Sequence, residues 1–195
     1  MTEMEKLKSQ MYYNTNSDEV RCCTERMKEL CFDYNHTRPS DRPAREALLR
    51  QIFGSVGANP WVEAPIQCDM GERTHIGDNF YANHGCIFLD FGGVTIGDNV
   101  LLGPNVGIFT PEHAFDPELR AAGYEISRPI VIGDNVWIGG NSSIMGGVTI
   151  GSNTIIGAGS VVTHDIPDNV IAVGNPCRVL REITEVDRKT RGPQL

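Results

Sequence analysis

Aliphatic residues recur at every sixth position along the second half of the chain. The longest series comprises Ile132, Ile138, Ile144, Ile150, Ile156 and Val162. A shorter upstream series in the same register comprises Ile96, Leu102 and Ile108. A third block begins at Ile76, two residues out of register, which predicts a local insertion. A period of six matches neither the period of an α-helix nor the simple alternation of a β-strand.

This period predicts a coil of short strands, each with one aliphatic side chain pointing inward. Three strands close one triangular turn of the coil, and stacked turns bury a continuous aliphatic column. Gly-Asp-Asn corners at 77–79, 97–99 and 133–135 supply the positive φ that tight turns need. The alternative is a β-sandwich with ordinary hairpins, and six consecutive hexads in one register argue against it. The predicted fold is all-β, a parallel β-helix with a short helical N-terminal segment and a protruding loop.

Helical spacing of apolar residues appears only near the N-terminus. The positions that share it are Val20, Cys23, Met27, Leu30 and Tyr34. Ser17 or Asp18 is available to cap this helix. A second helix is predicted to begin near Ser40 or Asp41 and to end at Gly54.

The hexad register survives a gap between Ile108 and Ile132. The polar residues within this gap cannot serve as inward positions, so a loop at 109–131 is predicted to leave the coil and return. A long loop carrying a histidine inside a compact repeat indicates a functional role. The predicted organisation is a helical N-terminal cap (1–54), a β-helix domain with this loop (55–183) and a C-terminal tail (184–195).

Composition and charge narrow the function. The net charge of −8 argues against nucleic-acid binding, which depends on neutralising phosphates. No apolar run is long enough to span a bilayer, and the charged first 30 residues do not match a signal peptide. The six cysteines are therefore expected to be reduced thiols in a cytoplasmic protein. No C-x-x-C pair supports a zinc ribbon or a redox motif.

Several motifs carry a family resemblance. The stretch from Ile132 to Val179, IGDNVWIGGNSSIMGGVTIGSNTIIGAGSVVTHDIPDNVIAVGNPCRV, resembles the hexapeptide-repeat acyltransferases. FYANHGC at 80–86 and TPEHAFDPELR at 110–120 resemble the galactoside/maltose O-acetyltransferase group. The resemblance implies a left-handed parallel β-helix and transfer of an acetyl group from acetyl-CoA to a sugar hydroxyl. It also implies a homotrimer with sites between subunits, a sugar pocket lined in part by the helical segment, and no metal.

The resemblance assigns catalytic roles to three residues. His113, in the setting Thr-x-x-His, matches the family's catalytic histidine and would remove the hydroxyl proton as general base. Asn83 occupies the position of an amide that stabilises the oxyanion formed from the thioester carbonyl. Glu125 is a candidate for orienting His113. Direct attack in a ternary complex needs no covalent acetyl-enzyme.

The same resemblance indicates substrate contacts. Asp69, Tyr81 and Asp90 are the expected sugar-binding residues. Two positions depart from the family pattern, since Phe91 and Asn14 stand where a carboxylate can occur. The sugar preference of the family therefore does not carry over directly.

Coenzyme A binding is expected along the coil and at its C-terminal end. The pantetheine arm of coenzyme A would lie against small residues. The phosphates of coenzyme A need cations. Cations are scarce in residues 54–176, which contain thirteen acidic and only three basic residues. His164 stands where relatives commonly have lysine. The expected contacts are Asn83, Gly140, Ser142, Ala158, Thr163, His164, Arg178 and Arg181.

Other interpretations of the function remain open from the sequence. A hexapeptide acetyltransferase could act on another small hydroxyl or amine acceptor, and a β-helix could be a non-catalytic scaffold. Metal-dependent hydration of the γ-carbonic anhydrase type needs three zinc histidines, two of them five residues apart. No two of the five histidines have that spacing, and His84 receives no role.

Overall fold

The computed structural model describes residues 1–190, with side chains through Asp187; the last residues of the predicted tail, 191–195, lie outside the described residues. The helices are α1 (Glu3–Lys8), α2 (Asp18–His36), α3 (Arg42–Ile52), α4 (Pro117–Ala121) and α5 (Glu185–Thr190). Ser17 caps α2 and Asp41 caps α3 by accepting backbone N–H groups of the first turn. Both predicted helices are confirmed. Helix α1 was not predicted.

The strands are short, as closely spaced corners require. They are β1 (Tyr13–Asn14), β2 (Ser55–Val56), β3 (Trp61–Val62), β4 (Gln67–Cys68), β5 (Thr74–Ile76), β6 (Tyr81–Ala82), β7 (Ile87–Leu89), β8 (Val94–Ile96), β9 (Leu101–Leu102), β10 (Gly107–Phe109), β11 (Pro111–His113), β12 (Tyr124–Ser127), β13 (Ile130–Ile132), β14 (Trp137–Ile138), β15 (Ser143–Met145), β16 (Thr149–Ile150), β17 (Ile155–Ile156), β18 (Val161–Val162), β19 (Val170–Val173) and β20 (Arg178–Glu182).

Three parallel sheets form the sides of the coil. The first sheet stacks β2, β5, β8, β13 and β16, and the second stacks β3, β6, β9, β14, β17 and β19, with β20 antiparallel at its end. The third sheet stacks β4, β7, β10, β15 and β18. The chain visits the three sheets in turn, so the predicted parallel β-helix is confirmed. We call its three edges corner 1–2, corner 2–3 and corner 3–1, after the sheets that they join.

Equivalent residues of successive coils lie directly on one another inside the helix. Ile76 pairs with Ile96 in the first sheet, and Ile96 pairs with Ile132. Ile138 in the second sheet and Ile144 in the third belong to the same core, and both are fully buried. The hexad series is therefore the set of inward positions, and burial of this column is the main source of stability.

Corner 1–2 is held by asparagine rather than glycine. Asn79, Asn99 and Asn135 have φ values of 56° to 57°, and their side-chain amides hydrogen-bond to one another in a ladder at 3.0 Å. Gly77 and Gly97 of the same Gly-Asp-Asn corners do not have positive φ. They are needed because the backbone of the next coil lies where a Cβ would be. The asparagines alone supply the positive φ at these corners.

Corner 3–1 contains the insertions. In each of the first two coils it is a wide turn, at 69–73 and at 90–93, and in the third coil the chain leaves the helix between β10 and β13. A second, smaller core covers this corner; its members are Leu7, Tyr13, Val20, Met70 and Phe91. The rings of Tyr13 and Phe91 stack with their centroids 5.8 Å apart. The N-terminal segment thus closes the corner at which the coil is widest.

The excursion between β10 and β13 has its own secondary structure. Strands β11 and β12 pair antiparallel with α4 between them, and β1 adds a third strand that pairs Tyr13 with Glu125. The sequence predicted a loop here but not this sheet. Among the described residues no helix is both long and apolar enough to cross a membrane.

The inward column generates a test with a matched control. Val162 is fully buried inside the coil, whereas its neighbour Val161 points outward. Val162→Ala should lower the free energy of unfolding by about 2 kcal/mol, because it removes buried methyl groups and leaves a cavity. Val161→Ala should lower it by less than about 0.5 kcal/mol. Equilibrium unfolding in urea measures both, and equal losses would contradict the assignment of inward positions.

Candidate active site

His113 lies at the end of β11 and forms a cross-strand pair with Glu125 of β12. Its Nδ1 is 3.2 Å from Oε1 of Glu125. The imidazole is largely exposed, at 67%, whereas the carboxylate is only 13% exposed. Because a carboxylate accepts hydrogen bonds, this contact favours the tautomer with the proton on Nδ1, which leaves the lone pair of Nε2 free. The structure therefore brings together two of the predicted catalytic residues.

Tyr13 holds the other side of Glu125, and the sequence did not reveal this. Its hydroxyl donates to Oε2 of Glu125 at 3.2 Å and lies 2.8 Å from Oγ of Ser127. Tyr13 is completely buried, and burial raises the pKa of its hydroxyl, which therefore stays protonated. With one oxygen fixed by Tyr13, the other oxygen of Glu125 faces His113. The available signal in the sequence was that Tyr13 directly precedes Asn14, a position where relatives can have a carboxylate.

Asp69 lies at the start of the wide turn in the first coil. No described residue donates a hydrogen bond to its carboxylate. Burial raises the pKa of Asp69 to about 6, and the charge of Asp90 adds to the shift while that of Lys28 opposes it. A carboxylate in this state can accept hydrogen bonds from a ligand.

The structure corrects the expected role of Asp90. Its side chain is fully buried. One carboxylate oxygen accepts from the N–H of Met70 at 2.8 Å, and the other accepts from the hydroxyl of Thr74 at 2.5 Å and the thiol of Cys68 at 3.4 Å. The carboxylate thus ties together the two wide turns of corner 3–1. It has no surface to offer a sugar, and Asp90 is a structural residue rather than a substrate contact.

Asn83 lies at a different edge, corner 2–3, directly after β6. Its Oδ1 accepts the N–H of His84 at 2.8 Å, so the NH₂ group points away from the backbone, where no described residue accepts from it. The ring of His84 is anchored by the carbonyl of Ala64 at 2.6 Å. Tyr81 precedes Asn83 on the outer face of the second sheet and is half-buried. Asn83 therefore presents two amide donors at this corner.

Three of the expected coenzyme contacts follow Asn83 along corner 2–3. Gly140 and Ala158 are small residues in later coils of this corner, next to the side-chain hydrogen bond of 3.1 Å between Asn105 and Asn141. Ser142 is different, because its hydroxyl is buried and donates to the carbonyl of Gly157 at 3.2 Å. Its side chain belongs to the corner, and only its backbone remains for a ligand.

The expected phosphate contacts lie at the C-terminal end. Thr163 and His164 share a hydrogen bond of 2.9 Å at corner 3–1 of the last coil. Arg178 and Arg181 extend from β20, and both are exposed. Arg181 is paired with both carboxylate oxygens of Asp187 at 2.6 Å, whereas Arg178 donates one N–H to the carbonyl of Cys177. A phosphate that binds Arg181 would therefore compete with the carboxylate of Asp187 for the guanidinium group.

The candidate catalytic residues do not all lie at one place on the chain. His113, Glu125 and Asp69 lie at corner 3–1, whereas Asn83 lies at corner 2–3, and the third sheet separates the two edges. The candidate base and the candidate oxyanion donor therefore lie at two different edges of the chain, and we refer to the residues at each edge as a half-site. The described residues include no cluster of histidine, cysteine or carboxylate side chains that could hold a metal ion.

Comparison with known proteins decides the family. A model of the maltose acetyltransferase hexapeptide capping motif matches residues 6–57, and a model of the bacterial transferase hexapeptide (six repeats) matches residues 129–164. The galactoside O-acetyltransferase of Escherichia coli (strain K12) is 51% identical over 163 residues, which are 84% of this chain and 80% of that protein. The chain belongs to the hexapeptide-repeat acyltransferases, in the galactoside/maltose O-acetyltransferase group.

Solved structures of this group share the fold. A maltose O-acetyltransferase from Clostridium difficile 630 is 51% identical and superimposes with a TM-score of 0.92 over 95% of this chain and 99% of the other. A galactoside acetyltransferase in complex with coenzyme A is 45% identical, with a TM-score of 0.93 over 96% and 94% of the two chains. The coil is therefore the left-handed parallel β-helix of the hexapeptide acyltransferases, as the resemblance implied.

The partly buried carboxylate of Asp69 should make the stability of this acyltransferase depend on pH. Because its pKa is about 6 in the folded state and 3.8 ordinarily, the folded state binds the proton more tightly. The free energy of unfolding therefore falls as pH rises through this window. Asp69→Asn removes the penalty and should raise the free energy of unfolding at pH 8 by about 1 kcal/mol, after discounting for partial solvent exposure, with no change near pH 4.

Urea unfolding of Asp69→Asn at both pH values checks this expectation. Asp33→Asn on the exposed face of α2 is the matched control and should leave stability nearly unchanged at either pH. A gain from Asp69→Asn that is equal at both pH values would contradict the assigned cause.

Proposed function

We propose that this protein transfers an acetyl group from acetyl-CoA to a hydroxyl of a sugar, with His113 as general base. The observation that carries the proposal is the contact between His113 and Glu125, which leaves Nε2 of an exposed imidazole free. Support for the substrates comes from relatives named galactoside and maltose O-acetyltransferase and from a relative bound to coenzyme A.

The reaction is a direct attack without a covalent enzyme intermediate. Nε2 of His113 takes the proton of the acceptor hydroxyl as its oxygen bonds to the thioester carbonyl carbon. The carbonyl oxygen becomes an oxyanion, which accepts hydrogen bonds from the amide of Asn83. When the tetrahedral intermediate collapses, the carbon–sulfur bond breaks and His113 returns the proton to the thiolate. The products are the O-acetyl sugar and free coenzyme A.

The proposed coenzyme site uses the edge of the coil and its basic end. Gly140 and Ala158 allow the pantetheine arm to approach the backbone of corner 2–3. Arg178 and Arg181 supply the cations for the phosphates, together with Thr163 and His164. The local charge supports this arrangement, because residues 177–195 contain five basic and three acidic residues, whereas the coil itself is strongly acidic.

We further propose a homotrimer, in which the half-sites of neighbouring chains meet. If corner 1–2 of each coil points to the threefold axis, the first and second sheets pack against neighbours. Corner 2–3 of one chain then lies beside corner 3–1 of the next, so Asn83 faces the His113 of its neighbour. Support comes from the outer face of the second sheet, where Trp61, Leu101 and Trp137 are exposed in the single chain.

We assign the protein to the cytoplasm. All six cysteines lie in the described part of the chain and are free thiols, four of them buried, which suits a reducing compartment.

The role of His113 predicts a specific kinetic pattern. His113→Ala should lower kcat by about 10²- to 10⁴-fold and leave the affinity for acetyl-CoA unchanged, because the imidazole acts on the acceptor. The rising limb of the pH–rate profile near the pKa of a histidine should disappear. Glu125→Gln should retain part of the activity. A thiol-release assay measures turnover, and a variant that keeps its turnover but loses sugar affinity would make His113 only a binding residue.

The proposed assembly predicts which face controls oligomerisation. Light scattering at micromolar concentration should give the mass of a trimer. Trp137→Glu on the second sheet should dissociate it, because a charge would be buried in the interface. Ser143→Glu on the outer face of the third sheet should leave the trimer intact. A monomeric wild type, or dissociation by the second substitution but not the first, would contradict the arrangement.

A further inference from the structure

A cavity beside the proposed acceptor site shares Asp69 with it and extends away from His113 along α2. It lies between α2 and the first two coils of the third sheet and has a volume of about 360 Å³. Its polar and aromatic lining comprises Lys28, Phe32, Asn35, Gln67 and Asp69, and Leu89 also lines it. The cavity is within the size range of small-molecule sites.

The wall of this cavity is rigid. Asn35 of α2 donates to the carbonyl of Ile66 at 2.8 Å and accepts the N–H of the same residue at 2.9 Å. These two bonds join the helix to the chain just before β4. The buried thiols of Cys31 and Cys68 belong to the lining of the cavity. The cavity is therefore built into the fold rather than produced by a loose contact.

The polar groups of the cavity suit a neutral ligand rich in hydroxyls. Among the described residues, none forms a hydrogen bond with the ammonium of Lys28, the amide of Gln67 or the carboxylate of Asp69. Together these three groups offer both donors and acceptors, which is what hydroxyl groups require. The charges of Lys28 and Asp69 cancel, so the site favours neither an anion nor a cation.

Phe32 adds an aromatic surface. It is 57% exposed although it lines the cavity, and among the described residues its ring contacts one other ring, that of His36, at 4.0 Å between centroids. An exposed phenyl ring next to free polar groups matches the two characters of a pyranose ring, which has C–H groups on its faces and hydroxyls on its edge.

The position of the cavity relates it to the proposed reaction. Two residues of the cavity, Asp69 and Leu89, lie at corner 3–1 of the first and second coils. The segment that contains β11 and His113 starts at the same corner of the third coil. Successive coils are about 5 Å apart, so the cavity lies roughly 10 Å from the level of that departure. We propose that the cavity binds the second ring of a saccharide whose first ring presents its hydroxyl to His113. This inference rests on the proposed sugar O-acetyltransferase function.

Paired acceptors test the proposal on the intact protein. Two pairs of acceptors are compared, and the members of each pair differ by one sugar ring. The first pair is methyl glucoside and methyl maltoside, and the second pair is methyl galactoside and methyl lactoside. In at least one pair the two-ring acceptor should have a kcat/KM about tenfold higher. Phe32→Ala should remove this advantage through KM of the two-ring acceptor and leave the one-ring acceptor within about twofold.

Glu29→Ala is the matched control, since Glu29 is exposed on the same helix and does not line the cavity. It should preserve the advantage of the two-ring acceptor. Equal kcat/KM values within both pairs in the wild type would overturn the proposal, and so would a Phe32→Ala variant that loses activity equally on one and two rings.

Saturation-transfer NMR separates this proposal from the proposed function. If no sugar is acetylated, the proposed function is contradicted. The binding measurement still tests whether the cavity binds a second sugar ring. Transfer to protons of the second ring of methyl maltoside or methyl lactoside, lost in Phe32→Ala and kept in Glu29→Ala, supports the cavity as its site. Absence of that transfer in the wild type contradicts it.

Discussion

Closure of a three-sided coil is the constraint on which this structure depends. Each parallel strand holds two to four residues, and most inward positions are apolar because these side chains form the core of the coil. Corner 1–2 is fixed by its asparagine ladder, and corner 2–3 stays short in every coil. Only corner 3–1 lengthens, and its extra residues carry Asp69, Asp90 and the segment with His113. The geometry of the coil thus confines most of the chemistry to one edge.

The widened corner needs support from outside the coil, and the N-terminal segment provides it. Tyr13 packs on Phe91 and reaches Glu125, so one side chain joins the smaller core to the carboxylate that holds His113. Asp90 performs a similar task inside the corner, because it lies in the second wide turn and its carboxylate accepts hydrogen bonds from Met70 and Thr74 of the first coil. Stability and the orientation of the proposed base are therefore coupled through the same residues.

The sequence predicted what depends on local pattern. The hexads predicted the coil and its inward residues, and capping and spacing predicted α2 and α3. The sheet that positions His113 could not be found in this way, because Tyr13 and Glu125 are 112 residues apart and meet only when the excursion folds back. Asp90 was misassigned because the widened turn carries its side chain into the interior, which the hexad period cannot show. The cavity beside Phe32 likewise depends on how α2 packs on the third sheet.

The central claim is that each chain holds two half-sites that become complete only between chains. Mixing two inactive variants tests it most directly: His113→Ala lacks one half-site and Asn83→Ala lacks the other. When the two are unfolded together and reassembled in equal amounts, about a quarter of the sites in a cyclic trimer should pair an intact His113 with an intact Asn83. Activity should rise to roughly that fraction of the wild type. Activity that stays at the level of the separate variants would place both groups in one chain and contradict the account.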